Sequence, residues 1–296
     1  MLNKLIKTLI FDGQLSLSVL DTTEMVNDAI KIHNLTPVAA AALGRTLTAC
    51  TFMSSNLKSE TDKLSVTIAG NGVGGKITVC GNGELAMRGV VDEPQADLPL
   101  KPNGKLDVGG FVGTEGRLTV VRSMGLKDPY SGSSALVSGE IAEDFAAYYA
   151  YSEQTPTAMA LGVLIDKDGS CAGAGGVVIQ AMPGANEENL AKAEEIINGL
   201  SDVSKRIKEL GAEGLMKKYF GEYGAEHPFG AEKPEEYFPE YKCLCSREYI
   251  EGVLRSLGKE ELKDIVKKEG AVKVDCQFCR KEYVFTDEDV DKMFND

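Results

Sequence analysis

Two cysteine pairs near the C-terminus, Cys243-Leu244-Cys245 and Cys276-Gln277-Phe278-Cys279, constrain this chain more than any other feature. Thirty residues separate them. In an extended segment, residues i and i+2 point to the same side, so Leu244 lets the first two sulfurs face one point. The second pair lies between Val272–Asp275 and Lys281–Phe285, which read as hairpin strands, and a two-residue spacer at a hairpin tip is a zinc-knuckle arrangement. The spacing predicts a structural zinc site made by Cys243, Cys245, Cys276 and Cys279. Four thiolates fill a tetrahedral zinc and leave no position for water or substrate, which argues against a Lewis-acid role.

Between the pairs, Ser246 is placed to cap a helix carrying Ile250, Val253, Leu254 and Leu257, ended by Gly258. A second helix carries Leu262, Ile265 and Val266 up to Gly270, and Thr286 opens a last one with Val290, Met293 and Phe294. Residues 243–296 therefore read as a zinc-binding module with a small core of its own. The other three cysteines, Cys50, Cys80 and Cys171, sit singly in apolar or glycine-rich surroundings and read as small buried hydrophobes.

An odd total of seven cysteines, unevenly spread, does not suit a secreted disulfide framework. The apolar run in MLNKLIKTLIFDGQ is too short for a signal-peptide core, and no apolar stretch approaches membrane-helix length. A cytoplasmic protein is expected. The net charge is −13, so the chain repels phosphate backbones and anionic lipid; neither nucleic acid nor membrane is an expected partner. The module itself holds no basic excess, with 11 Lys/Arg against 13 Asp/Glu from Tyr241 onward.

Residues 1–183 read as an α+β core domain. Leu5–Phe11 and Gln14–Leu20 suggest a hairpin around Asp12-Gly13. Asp21 and Glu24 resemble a capping box for a helix from Thr22 to His33. Thr36-Pro37 opens an alanine-rich helix to about Met53. Strands are expected at Lys63–Ala69, Lys76–Cys80, Arg117–Val121, Ala158–Ile165 and Gly176–Ala181, with a helix at Ile141–Tyr151. Residues 186–220 form a helical middle segment. Asn186 caps a first helix with Leu190, Ala193, Ile196, Ile197 and Leu200 on one face. Ser201 opens a second with Val203, Ile207 and Leu210, ended by Gly211, and Leu215 to Phe220 make a third. Residues 221–242, with Pro228, Pro234 and Pro239, read as a linker, yet Tyr223, Phe229, Tyr237, Phe238 and Tyr241 suggest that it packs on something.

Signals for enzymatic chemistry are weak. Gly70-Asn71-Gly72-Val73-Gly74-Gly75 matches a dinucleotide-binding fingerprint literally, but a strand follows it where a helix is required, so a hairpin turn is the better reading. No phosphate-binding P-loop occurs, and only two histidines, His33 and His227, are present to serve as bases. No catalytic residue is assigned.

The segment CLCSREYIEGVLRSLGKEELKDIVKKEGAVKVDCQFCRKEYVF resembles the C-terminal zinc module of the heat shock protein 33 family, the redox-regulated bacterial holdases. GLKDPYSGSSALVSGEIAEDFAAYYAYSEQTPTAMALGV and VIQAMPGA resemble its N-terminal domain. The resemblance implies an ATP-independent chaperone for unfolded or aggregation-prone client proteins, inactive while reduced and zinc-bound. It also implies activation by disulfides within each pair, Cys243–Cys245 and Cys276–Cys279, zinc release, and a homodimer as the active form. The rival readings are a thiol-disulfide oxidoreductase, whose CxxC motif belongs at a helix start, and a passive structural zinc module.

Overall fold

The computed structural model describes residues 2–294, and the chain divides into two compact units, Met1–Tyr241 and Lys242–Asp296. The first opens with the expected hairpin, β1 (Lys4–Ile10) and β2 (Leu15–Asp21). The loop between them is four residues long, Phe11 to Gln14, rather than a two-residue turn, and Phe11, Asp12 and Gly13 all take positive φ in it. Helices α1 (Thr23–His33) and α2 (Pro37–Ser54) follow. Thr36 Oγ1 accepts from Ala39 N as expected for α2, but the Asp21–Glu24 capping box does not form. Asp21 still belongs to β2, and its carboxylate accepts from Thr23 N and Thr23 Oγ1, meeting an orphan donor of α1 by a different route.

Three antiparallel strands come next, β3 (Lys63–Ala69), β4 (Lys76–Asn82) and β5 (Ala86–Val91), then the short α3 (Val108–Val112). Strands β6 (Arg117–Ser123) and β7 (Tyr130–Ala135) precede α4 (Ala142–Tyr148), which ends in a π-turn at Tyr149–Glu153. Strands β8 (Thr157–Ile165) and β9 (Cys171–Ala181) and helices α5 (Glu187–Asn198) and α6 (Val203–Phe220) continue the chain. Asn186 caps α5 through Asn189 N. Gly211, at φ 65° and ψ 179°, breaks the helical path inside α6 as expected, so that α6 is two helices joined at a kink, and Asp202 rather than Ser201 stands at its N-cap. The segment read as a linker supplies two edge strands, β10 (Glu235–Tyr237) and β11 (Glu240–Tyr241). Tyr223 stacks on Phe11, and Tyr237 and Tyr241 pack against the core, whereas Phe229 and Phe238 are exposed.

Two sheets result, in the orders β10-β1-β2-β9-β8 and β11-β5-β4-β3-β6-β7. Their inner faces share one core with α2, whose residues are buried almost without exception from Val38 to Ser54. Ala39 to Ala42 keep that helix thin. The hydroxyls of Thr46, Thr48 and Thr51 bond carbonyls four residues back, so α2 carries no unmet polar group from them into the interior. The other face of the five-stranded sheet, with Ile6, Ile10, Leu15, Leu17, Val19, Val177 and Ile179, is covered by α5 and α6 through Ala193, Ile197, Leu200, Val203, Ile207, Leu215, Met216 and Phe220.

The glycine-rich turn between β3 and β4 has a packing reason. Gly72 N and Gly74 N donate to Val112 O and Phe111 O, and a Cβ at Gly70, Gly72 or Gly74 would lie within 2.1–2.3 Å of the 111–112 segment. Only glycine permits that approach, and no helix follows the turn.

The second unit contains α7 (Arg247–Arg255), α8 (Lys259–Glu269), the hairpin β12 (Val272–Asp275) and β13 (Glu282–Phe285), and α9 (Asp287–Met293). Its core is Ile250, Leu254, Leu262, Val272, Cys276, Tyr283, Phe285, Val290 and Met293. The α+β class and the small cysteine-bearing module are as expected.

Candidate metal centre

The four cysteines of the second unit meet. Their Sγ atoms all lie within 4.8 Å of one another. Cys243 Sγ is 3.6 Å from Cys276 Sγ, and Cys245 Sγ is 3.4 Å from Cys279 Sγ. Each segment brings its pair by a local device. Cys243 and Cys245 flank Leu244, whose side chain points away and is exposed, just before Ser246 caps α7 by accepting from Tyr249 N. Cys276 to Cys279 occupy the turn between β12 and β13. There Cys276 N donates to Lys281 O and Arg280 N to Cys276 O, with Arg280 at positive φ. That closes a tight loop around the second sulfur pair.

The donor set fits a soft divalent metal. A tetrahedron with metal–sulfur bonds of about 2.3 Å has edges of roughly 3.8 Å, in the range these sulfurs already span. Backbone N–H groups point at two of them, Cys245 N–H at Cys243 Sγ and Lys281 N–H at Cys279 Sγ, which spreads thiolate charge. Burial pushes the Cys243 and Cys279 thiols up. Burial also opposes ionisation at Cys245, but hydrogen bonds from Tyr283 and from neighbouring thiols outweigh it and hold that thiol at about 7. Cys245 thus gives up its proton readily and Cys243 and Cys279 reluctantly, which is how closely packed thiols behave until a cation neutralises them.

Sequence reasoning found the four cysteines but not their hydrogen-bonding neighbour. Tyr283 Oη donates to Cys245 Sγ at 3.2 Å. Its signal is the period-two pattern of β13, which puts Tyr283 and Phe285 together on the buried face. Arg247 lies over the Phe285 ring, 4.2 Å from its centroid, and bonds Asp289, tying the start of α7 to β13 and α9.

Cys50 and Cys171 are buried as small hydrophobes, their thiols pushed up by desolvation, and Cys80 is half-buried. All three lie in the first unit. The cavity beside the C-terminal end of α2, lined in part by Met53, Lys58, Arg122, Tyr149 and Glu153, holds an Arg122–Glu153 ion pair and no thiol or imidazole. Among the described residues no helix is long and apolar enough to cross a membrane.

Comparison with known proteins decides the family. The family model described as Hsp33 protein matches residues 3–286. This chain belongs to the Hsp33 family. It is 41% identical over 293 residues to the 33 kDa chaperonin of Clostridium acetobutylicum, covering 99% of this chain and 97% of that protein. A 33 kDa chaperonin of Clostridium botulinum (strain Langeland) is 43% identical over 290 residues, covering 98% and 96%. Among solved structures, the 33 kDa chaperonin (heat shock protein 33 homolog) of Thermotoga maritima superposes with a TM-score of 0.88 at 34% identity, over 99% of this chain and 98% of that one. The Hsp33 match spans the α+β core and the cysteine cluster alike.

Proposed function

We propose that this chain is a redox-regulated, ATP-independent holdase, which binds unfolding or aggregation-prone proteins under oxidative stress and catalyses no reaction of its own. One observation carries the reading: four thiols converge inside a unit whose core is nine buried residues. Cys243, Cys245, Cys276 and Cys279 would hold zinc. A bound zinc would supply folding free energy of about 10–16 kcal/mol and no open coordination position.

Oxidation removes the ligands. In each pair two thiolates and one peroxide take up two protons, form one disulfide and release two waters; the pairs are Cys243–Cys245 and Cys276–Cys279. Disulfides that close such short loops restore little of the lost free energy, and a core this small does not stand comfortably alone. The module unfolds. Destabilisation then passes along the chain to β11, two residues long, and β10, three residues long, and on to the kinked α6. Release of α5 and α6 would uncover the apolar face headed by Ile6, Leu17, Val19 and Val177, a surface for clients. The active form is a homodimer in a cytoplasmic setting.

The oxidoreductase reading is weaker. Its CxxC belongs at a helix N-terminus, and here the motif occupies the turn between two strands. Zinc content and free thiols, counted before and after peroxide beside an aggregation assay, test the proposal. One zinc and four reactive thiols should disappear as aggregation is suppressed. Suppression with the zinc retained would reject the switch.

A further inference from the structure

The buried face of β13 carries one polar side-chain atom, the hydroxyl oxygen of Tyr283. Tyr283 pairs with Val274 across the hairpin and is 4% exposed, and Lys281 Nζ lies 5.0 Å from its ring centroid. The ring is thereby held in place, and Oη donates to Cys245 Sγ at 3.2 Å, its one hydrogen bond among the described residues. Packing alone does not ask for that oxygen. Phe285, on the same face of β13, fills the core without one, and a buried hydroxyl costs free energy unless it is bonded. What tyrosine adds over phenylalanine at this position is the bond to sulfur.

The other donors at the cluster are of a different kind. Cys243 Sγ and Cys279 Sγ receive backbone N–H groups, from Cys245 and Lys281, which the local chain path supplies whatever the side chains are. Tyr283 is the one side-chain O–H or N–H donor to the cluster among the described residues, and it reaches a sulfur 38 positions away in the sequence. In the zinc-loaded chain all four sulfurs would already be thiolates. The hydroxyl then acts on how well Cys245 attacks and not on whether it is ionised. An O–H···S⁻ bond draws charge from a sulfur lone pair, and a thiolate loses nucleophilicity as charge is drawn off it. Outer hydrogen bonds to metal-bound sulfurs tune their chemistry in the same way.

We infer that Tyr283 is a positioning residue that holds back peroxide attack by Cys245, and so sets how fast the Cys243–Cys245 disulfide forms. The inference rests on the redox-switch reading and deepens it. In the governed step Cys245 Sγ attacks one peroxide oxygen: the S–O bond forms, the O–O bond breaks and hydroxide leaves. Cys243 Sγ then displaces a second hydroxide from that sulfur as the S–S bond forms, and two solvent protons turn both hydroxides into water. The sulfur pair gives up two electrons and the peroxide takes them. With its hydroxyl on Cys245, Tyr283 raises the exposure to oxidant that this pair withstands.

The test uses the full-length, reduced, zinc-loaded chain under limiting hydrogen peroxide. Zinc release is followed with a metal-binding dye, and the first cysteines oxidised are located by alkylation and mass spectrometry. Tyr283→Phe keeps the ring and removes only the oxygen. It should start with the zinc content of wild type and release the metal roughly fivefold faster, with the early gain in oxidation at Cys245. Replacing Tyr283 by 3-fluorotyrosine strengthens the donor on the same ring and should slow Cys245 below wild type. A hydroxyl that served only packing would not give that graded, site-specific response. If Cys245 in the Phe variant oxidises at the wild-type rate, or all four cysteines speed up together from the start, the assignment is wrong and the switch reading stands. A Phe variant that lacks zinc before any peroxide is added would make the hydroxyl structural and likewise overturn the inference. If wild type keeps its zinc and its thiols under peroxide, the switch reading itself fails and the role of Tyr283 falls with it.

Discussion

The two units of this chain use opposite means to stay folded. In Met1–Tyr241, two sheets close on a helix that is buried on every side, and one sheet buries its second face as well. Most of that stability comes from apolar area removed from water, which no reagent can take away selectively. In Lys242–Asp296 the apolar core is thin, and four of the residues in or against it are cysteines. On the proposed zinc reading, stability there is concentrated in one chemical feature, and thiol chemistry can reach it. The contrast teaches where a switch can be built: a region whose cohesion depends on a few reactive atoms can be released while its neighbour remains intact.

Removing one sulfur is the most forceful way to break this comparison. Cys276→Ser leaves three thiolates and should lower zinc retention sharply, forfeiting much of a term worth about 10–16 kcal/mol in small zinc domains. Hydrogen exchange should then show amides of 243–294 unprotected while strands such as β3 keep their protection. Full zinc occupancy with a protected module would show that the second unit does not depend on its cysteines.

Matched core truncations come next. Phe220 on α6 and Phe285 on β13 are both fully buried. Each change to alanine should cost about 3–5 kcal/mol. In the first unit, Phe220→Ala should loosen α6 and leave the core around α2 protected, because α6 belongs to the separate cluster on the outer sheet face. Phe285→Ala should unfold the metal-free module and lower zinc affinity in the reduced protein. Equal and purely local responses in hydrogen exchange would erase the proposed difference.

A third test uses charge. Burial alone would raise the Glu140 carboxyl, but hydrogen bonds from Lys101 and Arg45 and their positive charges hold it below its ordinary 4.5. A lowered folded-state value means the contribution is present above pH 4.5 and lost as pH falls through the folded value. Glu140→Gln should therefore destabilise the first unit by about 1–3 kcal/mol at neutral pH, with the gap to wild type closing in acid. Denaturant melts across pH check it; a gap that persists below the titration would assign the effect to packing.

Legibility in the sequence followed whether the decisive interactions were local. The cysteine cluster was readable because each pair lies within four residues and hairpin geometry does the rest. Caps at Thr36, Asn186, Ser246 and Thr286 were readable for the same reason, since each bond spans three residues. Strands β5 and β7 were not, because Ala86–Val91 and Tyr130–Ala135 lack strong alternation and owe their state to neighbours far along the chain. The sequence pattern starts a helix at Ile141, yet that residue stands at the N-cap with φ 74°. The buried Asp144 carboxylate gathers the N–H groups of Val137, Ser138, Gly139 and Ile141 and holds that turn, which no propensity could indicate. The strands β10 and β11 were hidden by prolines that spoke for a linker. Their pairing with β1 and β5 reaches back across most of the chain.

The smallest expected effect gives the finest comparison, because the same chemistry can be removed from both units. Asn186 Oδ1 accepts from Asn189 N at the start of α5, and Ser246 Oγ accepts from Tyr249 N at the start of α7. Either cap replaced by alanine should cost about 1 kcal/mol. In the first unit that loss is spread over a helix docked on a sheet, so Asn186→Ala should fray the first turn of α5 and leave global melting nearly unchanged. In the second unit the cap follows Cys245 directly, and on the proposed zinc reading folding there is coupled to metal binding. Ser246→Ala should therefore appear as zinc affinity weaker by about fivefold, the equivalent of 1 kcal/mol. Competition with a chelator of known affinity measures it. Unchanged zinc affinity, with fraying confined to α7, would mean the cluster assembles independently of the module around it, and cohesion there would rest on the sulfurs alone.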